Sequence, residues 1–180
     1  HVEVKSYLIP YEELPRPVFW FNDELPAGTW SGIHSHDGWG ELAYMKRGHM
    51  VMCAEDGNFL VPPRRAVWIP PGVAHEWYIP QDSVDCGLYI KIPALPDIAR
   101  FRRVHTMEIS PLARELIHSL ASEPHEYAEG PVSRKVAVLL DEIPSLALVD
   151  TPLAMPHDHR LVELCTMLLN EPDLSGTVCD

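Results

Sequence analysis

Between residues 41 and 92 the apolar positions come in short runs broken by Gly, Pro and Asp: ELAYMKRG, HMVMCAEDGNFLV, AVWIPPGVAHEWYI and CGLYIKI. Short runs rich in β-branched and aromatic residues, closed by turn formers, predict strands. Asp56-Gly57, between MVMCAE and NFLV, predicts a hairpin turn. Several short strands at regular turns predict a β-sandwich or barrel. After residue 105 the period becomes helical. Ser110-Pro111 reads as an N-cap followed by proline at the first helical position, with Leu112, Leu116, Ile117 and Leu120 on one face. Gly130-Pro131 opens a second helix, with Val132, Val136, Leu139, Leu140 and Ile143 in register, stopped near Pro144. The stretch 144–156 reads as extended. Asp158 then predicts the cap of a third helix with a stripe of Leu161, Leu164, Cys165, Leu168 and Leu169, ended by Pro172, and Ser175 or Thr177 offers one more cap.

Composition narrows the function classes. A chain of 180 residues that is 46% hydrophobic holds one domain with a sizeable core, or one domain and an appendage. Its net charge of −12 repels phosphate backbones, so this stretch is a poor nucleic-acid binder. Residues 151–180 carry one arginine against five acids and make no DNA-reading head. No apolar run reaches the length of a membrane span, and HVEVKSYLIP is no signal peptide, which sets a cytoplasmic expectation without a membrane partner. The first residue is His1 rather than Met, which implies a trimmed start. Cysteines at 53, 86, 165 and 179 form no Cys-x-x-Cys and are expected as reduced thiols.

The stretch GIHSHDGWGELAYMKRG carries the chemistry. On a strand, i and i+2 share a face, so His34 and His36 project together. Glu41 is an odd number of residues from both; a bend allowed by Asp37-Gly38 and Gly40 would return it toward them. His75, after the Pro70-Pro71-Gly72 turn, offers a third imidazole. Three neutral imidazoles and a carboxylate suit a divalent transition metal; by spacing alone, four polar residues at strand ends remain an equal reading. Glu76 could act as a base beside His75, but its strand position points it outward. Trp39, Trp68 and Trp77 flank the ligand strands, and Tyr44 and Tyr89 face inward if strand parity holds. Those five are either the wall of an effector pocket or barrel packing. Arg64 and Arg65 offer an anion contact or a solvated turn.

The chain resembles the cupin superfamily. Gly28, His34, His36, Glu41 and Gly48 match its first motif at every position, and Pro70, Gly72 and His75 match its second, with Arg64 where that motif has glycine and Ile79 where it has asparagine. The resemblance implies a mainly β jelly-roll barrel followed by a C-terminal α-helical segment. It also implies that His34, His36, Glu41 and His75 bind one divalent transition metal: zinc, nickel, iron or manganese. AVWIPPGVAHEW and the tail from MPHDHRL onward resemble AraC-type transcription regulators with an N-terminal cupin sensor. That implies a barrel at 1–104, a helical dimerisation segment at 105–150, and at 151–180 a linker and first helix leading to a helix-turn-helix domain beyond this stretch. The implied function is sensing of a small-molecule effector by a homodimer that reaches promoter DNA through that further domain. The implied protein is no enzyme. The alternative is a metal-dependent cupin enzyme of dioxygenase or isomerase type, for which the sequence names no convincing acid or base.

Overall fold

The computed structural model describes residues 14–149 and, as backbone alone, the short strands at 2–3 and 154–155; the third helix expected from Asp158, and the caps after it, lie outside the described residues. The strands are β1 (Val2–Glu3), β2 (Val18–Trp20), β3 (Asp23–Leu25), β4 (Thr29–Trp30), β5 (Trp39–Ala43), β6 (Met45–Arg47), β7 (Met50–Ala54), β8 (Gly57–Val61), β9 (Arg65–Ile69), β10 (His75–Tyr78), β11 (Ser83–Asp85), β12 (Leu88–Lys91), β13 (His105–Glu108) and β14 (Ala154–Met155). Among the described residues two α-helices follow the barrel, α1 (Pro111–Leu120) and α2 (Pro131–Glu142). The chain is mainly β, a jelly-roll barrel with a helical extension. No helix among the described residues is long and apolar enough to cross a membrane.

Three sheets build the barrel, in the orders β1-β4-β10-β7-β8-β14, β13-β9-β5-β12-β2 and β3-β11-β6. The second sheet is buried on both faces, which is why its strands read as continuous apolar runs and not as alternation. Its register separates two rows. Trp20, Leu88, Leu42 and Trp68 are paired neighbours on the outer face. Phe19, Tyr89, Glu41 and Ile69 are paired neighbours on the inner face. The outer row packs against Ala113, Ile117 and Leu120 of α1 and Val136 and Leu139 of α2. The inner face closes on Met50, Met52, Trp77 and Ile79 from the opposite sheet. Ile79, at the motif's asparagine position, is fully buried there, so an apolar contact replaces a polar one.

Three local details differ from the sequence expectation. In the β7–β8 hairpin Ala54 pairs with Gly57, so the loop is Glu55-Asp56, one residue earlier than Asp56-Gly57; Gly57 follows it at φ 134°. The helical period does not start at 105: β13 still pairs with β9, and the helices begin at Pro111. Leu112 lies on the exposed side of α1, 49% accessible, because Ala113 takes its place in the buried stripe. Cys53 and Cys86 are free thiols.

The start of α1 is held as Ser110-Pro111 predicts. Ser110 Oγ accepts from the Ala113 amide at 3.1 Å and donates to Glu142 Oε1 at 2.7 Å, which ties the beginning of α1 to the end of α2. Ser110→Ala removes both bonds. It is expected to cost about 1–2 kcal/mol, read as a lower urea midpoint at unchanged slope; an unshifted midpoint would show that the cap contributes nothing.

Candidate metal centre

The ligand segments are fixed by backbone hydrogen bonds. His34 and His75 form a single antiparallel bridge, exchanging N–H···O bonds of 2.9 and 2.8 Å, and the Gly72 amide donates to the His36 carbonyl at 2.7 Å. His34 and His36 therefore lie on an extended loop zipped to 72–75, and not on a continuous strand. Glu41 comes from the inner face of β5. The bend that turns the chain is at Gly38, φ 82°; Gly40 is inside β5, where it makes room for another residue.

The donor atoms of His34, His36, Glu41 and His75 all lie within 4.8 Å of one another. Donors around one ion at bond lengths near 2.1 Å are separated by roughly 3.0–4.2 Å, so the set fits a metal after a small contraction. The tautomers are fixed in its favour. His34 Nδ1 donates to the Gly32 carbonyl and His75 Nδ1 to the Val73 carbonyl, both at 2.8 Å. A carbonyl only accepts, so in each neutral ring the Nε2 lone pair is left to face the cluster. His75 Nε2 lies 2.8 Å from Glu41 Oε2, and His36 Nε2 lies 3.5 Å from the same oxygen. Two acceptors at 2.8 Å need a positive charge between them, a proton or a metal. His36 Nε2 is buried and has no hydrogen-bond partner among the described residues, as expected of a donor atom kept for coordination.

Titration follows this geometry. Burial alone would raise the Glu41 pKa, but the His36 and His75 imidazoles bring it down to about 2. Burial alone would lower His75, but the Glu41 hydrogen bond and charge outweigh it and hold the ring above its ordinary value. His34 is lowered, chiefly by burial.

Of the five residues expected to wall an effector pocket, the structure brings two to the cluster. The Tyr89 ring centre is 4.6 Å from that of His36, and Trp39 stacks on His36 at 6.1 Å. Trp39 Nε1 is buried without a partner among the described residues, a donor available to a ligand. Trp77 faces the same interior two residues below His75 but is packed into the apolar core. Tyr44 and Trp68 are corrections: both lie on the outer face of the second sheet, under the helices and away from the cluster. Tyr44 is three residues from inward Glu41, so it points outward, and Trp68 pairs with outward Leu42. Glu76 faces away from the cluster, accepting from Trp30 Nε1 at 2.7 Å. The residues that complete the mouth are Phe19, Phe21 and Leu14, packed with Tyr89 and Trp39. The run VFWF at 18–21 was the signal for them, but a single short run shows neither its face nor its neighbour.

No family model matches the chain. The HTH-type transcriptional regulator NimR of Escherichia coli (strain K12) is 35% identical over 152 residues, 82% of this chain and 54% of that protein, so the chain spans about half the length of this relative. Among solved structures, an apo variant of ToxT from Vibrio cholerae strain SCE256 aligns with a TM-score of 0.55 at 6% identity, over 89% of this chain and 67% of that one. Unsaturated fatty acid bound wild-type ToxT gives 0.52 at 8% identity, over 75% and 54%. At those identities the two likenesses speak for the fold.

Proposed function

We propose that this chain is the cupin-barrel part of an AraC-type transcription regulator, a metal-containing effector sensor and not an enzyme. The observation that carries the reading is the convergence of three histidines and Glu41 at an aromatic barrel mouth, in a chain related to a helix-turn-helix regulator. His34, His36, Glu41 and His75 would hold one divalent transition metal, zinc, nickel, iron or manganese, which supplies a Lewis-acidic contact when bound. Three neutral ligands and one carboxylate leave such an ion with net positive charge, so the mouth suits an anionic or carbonyl-bearing small molecule. Trp39 and Tyr89 flank that molecule, and Trp39 Nε1 offers it a hydrogen bond. That one of the neighbours binds an unsaturated fatty acid supports a ligand-binding role for this architecture.

In the full-length protein the barrel at 1–104, extended by β13, would sense. The segment 105–150 would carry a dimer contact, and 151–180 would lead to the helix-turn-helix domain that contacts promoter DNA in the cytoplasm. Most of the apolar stripe of α1 and α2 is used on the barrel, so the contact falls to what remains outside: Leu112, and Val138 at 44% accessible. Sedimentation at micromolar concentration is expected to show a two-subunit species that Leu112→Glu or Val138→Glu converts to monomer. A monomer throughout would refute the contact.

The function is tested on the natural gene product containing this chain. In gel shifts on its own promoter, adding zinc or a chelator should change the affinity at least about fivefold, the lower edge of ordinary allosteric coupling. Chain 1–180 alone should give no saturable band. Binding indifferent to metal, together with a turnover requiring the intact cluster, would favour the enzyme reading.

A further inference from the structure

On the other side of the second sheet, where its outer face meets α1, lies a cleft of about 480 Å³. It shares no residue with the metal cluster. At its floor the buried Tyr44 hydroxyl and His118 Nε2 share a hydrogen bond of 3.0 Å. Its walls are apolar on one side, from Pro63, Ile109 and Pro111. Its rim carries three cations from three elements: Lys46 from β6, Arg64 from the turn between β8 and β9, and Arg114 from α1. Arg114 pairs with Glu115 at 3.1 Å, whereas Lys46 and Arg64 make no ion pair among the described residues. Arg64 is also the residue that stands where the second cupin motif has glycine, a departure that the metal site leaves unexplained.

Like charges that share a rim repel one another, and an anion among them relieves that repulsion. The single carboxylate of Glu115 leaves the rim net positive. An occupant needs one anionic group for the rim, a flat apolar body for the walls, and one polar atom for the Tyr44–His118 pair. We propose that this cleft is a second, metal-independent site for a small organic carboxylate. Because its cations come from both the barrel and α1, such an occupant would fasten the helix to the barrel.

Chain 1–180, stripped of metal with a chelator, is titrated with phenylacetate and, separately, acetate, and followed by the backbone amide shifts of Ile109, Arg114 and Glu115. Phenylacetate is expected to saturate at one site and to bind more tightly than acetate. Lys46 and Arg64 are exposed, so Lys46→Gln and Arg64→Gln should fold normally. Each is expected to weaken phenylacetate binding about tenfold, the loss of one charge-assisted contact. His36→Ala should leave binding unchanged. The proposal is overturned by absence of saturation, by acetate binding as tightly as phenylacetate, or by affinity insensitive to both rim substitutions. Binding that shifts Trp39 and Tyr89 and is lost in His36→Ala would place the anion at the barrel mouth and overturn it equally. Wild type that carries no metal as purified from a metal-replete preparation, yet binds phenylacetate at this cleft, would sink the metal centre while leaving this site standing.

Discussion

His36→Ala is expected to strip the protein of metal while leaving the barrel folded. The wild type, purified without a nickel column, should carry close to one ion per chain, and the variant should carry close to none. Losing an outer-shell partner of a metal ligand weakens binding about 10–100-fold. Losing a ligand outright should therefore cost at least about a hundredfold. The fold should survive because His36 Nε2 makes no hydrogen bond that alanine would break, and the backbone bond from Gly72 to the residue-36 carbonyl is indifferent to the side chain. The measurement is elemental analysis beside circular dichroism. Metal-free wild type from a metal-replete preparation, or full retention in the variant, would show that the four residues do not form a metal site.

The same cluster sets the pH dependence. Without metal, the Glu41 pKa is held near 2, below its ordinary value, so its contribution to stability is present above the ordinary carboxylate range and is lost as pH falls toward 2. His75 is held above its ordinary 6.5, so its contribution is full below that value and fades as pH rises through the raised pKa. A metal reverses the histidine part, because it needs the neutral ring and competes with the proton at His75 Nε2. Thermal stabilisation by added zinc is therefore expected to be larger at pH 7.5 than at pH 5, shrinking as pH falls through the raised His75 pKa. A zinc-induced shift in melting temperature that is equal at pH 5 and pH 7.5 would exclude coordination through these imidazoles.

How far the sequence was legible depended on how local each determinant is. The four converging residues could be read because they match the cupin motifs; their spacing alone, two at i, i+2, a third after the glycine bend at Gly38 and His75 after a Pro-Pro-Gly turn, left an equal reading as plain polar residues at strand ends. The cap at Ser110 and the start at Gly130-Pro131 are equally local, and both helices begin where expected. Side assignment was lost wherever it needed register between distant strands. Trp39 and Tyr44 follow from their parity with Glu41, but Trp68 and Tyr89 are equally aromatic, and only the pairing of β5 with β9 and β12 puts the first outside and the second inside. Strands of three residues, such as β2, β3 and β11, are too short to show a period. Gly40 was legible as a glycine but not as a packing residue, because its reason is an indole 28 positions further along the chain.

That indole makes a large stability effect expected of a single added methyl group. A Cβ at position 40 would lie 2.3 Å from both Cη2 and Cζ2 of Trp68 and 3.1 Å from the Ile69 carbonyl oxygen. The ring cannot step aside. Trp68 is fully buried, its Nε1 donates to the Phe101 carbonyl at 3.0 Å, and the Phe101 ring meets it edge-on at 5.3 Å. Gly40→Ala is therefore expected to destabilise by about 3 kcal/mol or more, the upper end of overpacking. Gly38→Ala has open space around it and suffers only its left-handed φ of 82°, so about 1 kcal/mol is expected there. Trp68→Ala should cost about 4 kcal/mol by leaving a cavity between the sheet and the helices. If the clash is the cause, Gly40→Ala should then cost almost nothing in the Trp68→Ala background, a coupling of about 3 kcal/mol in a double-mutant cycle read from urea midpoints. Additive costs would mean that glycine at this position serves the backbone of β5 and not the ring above it.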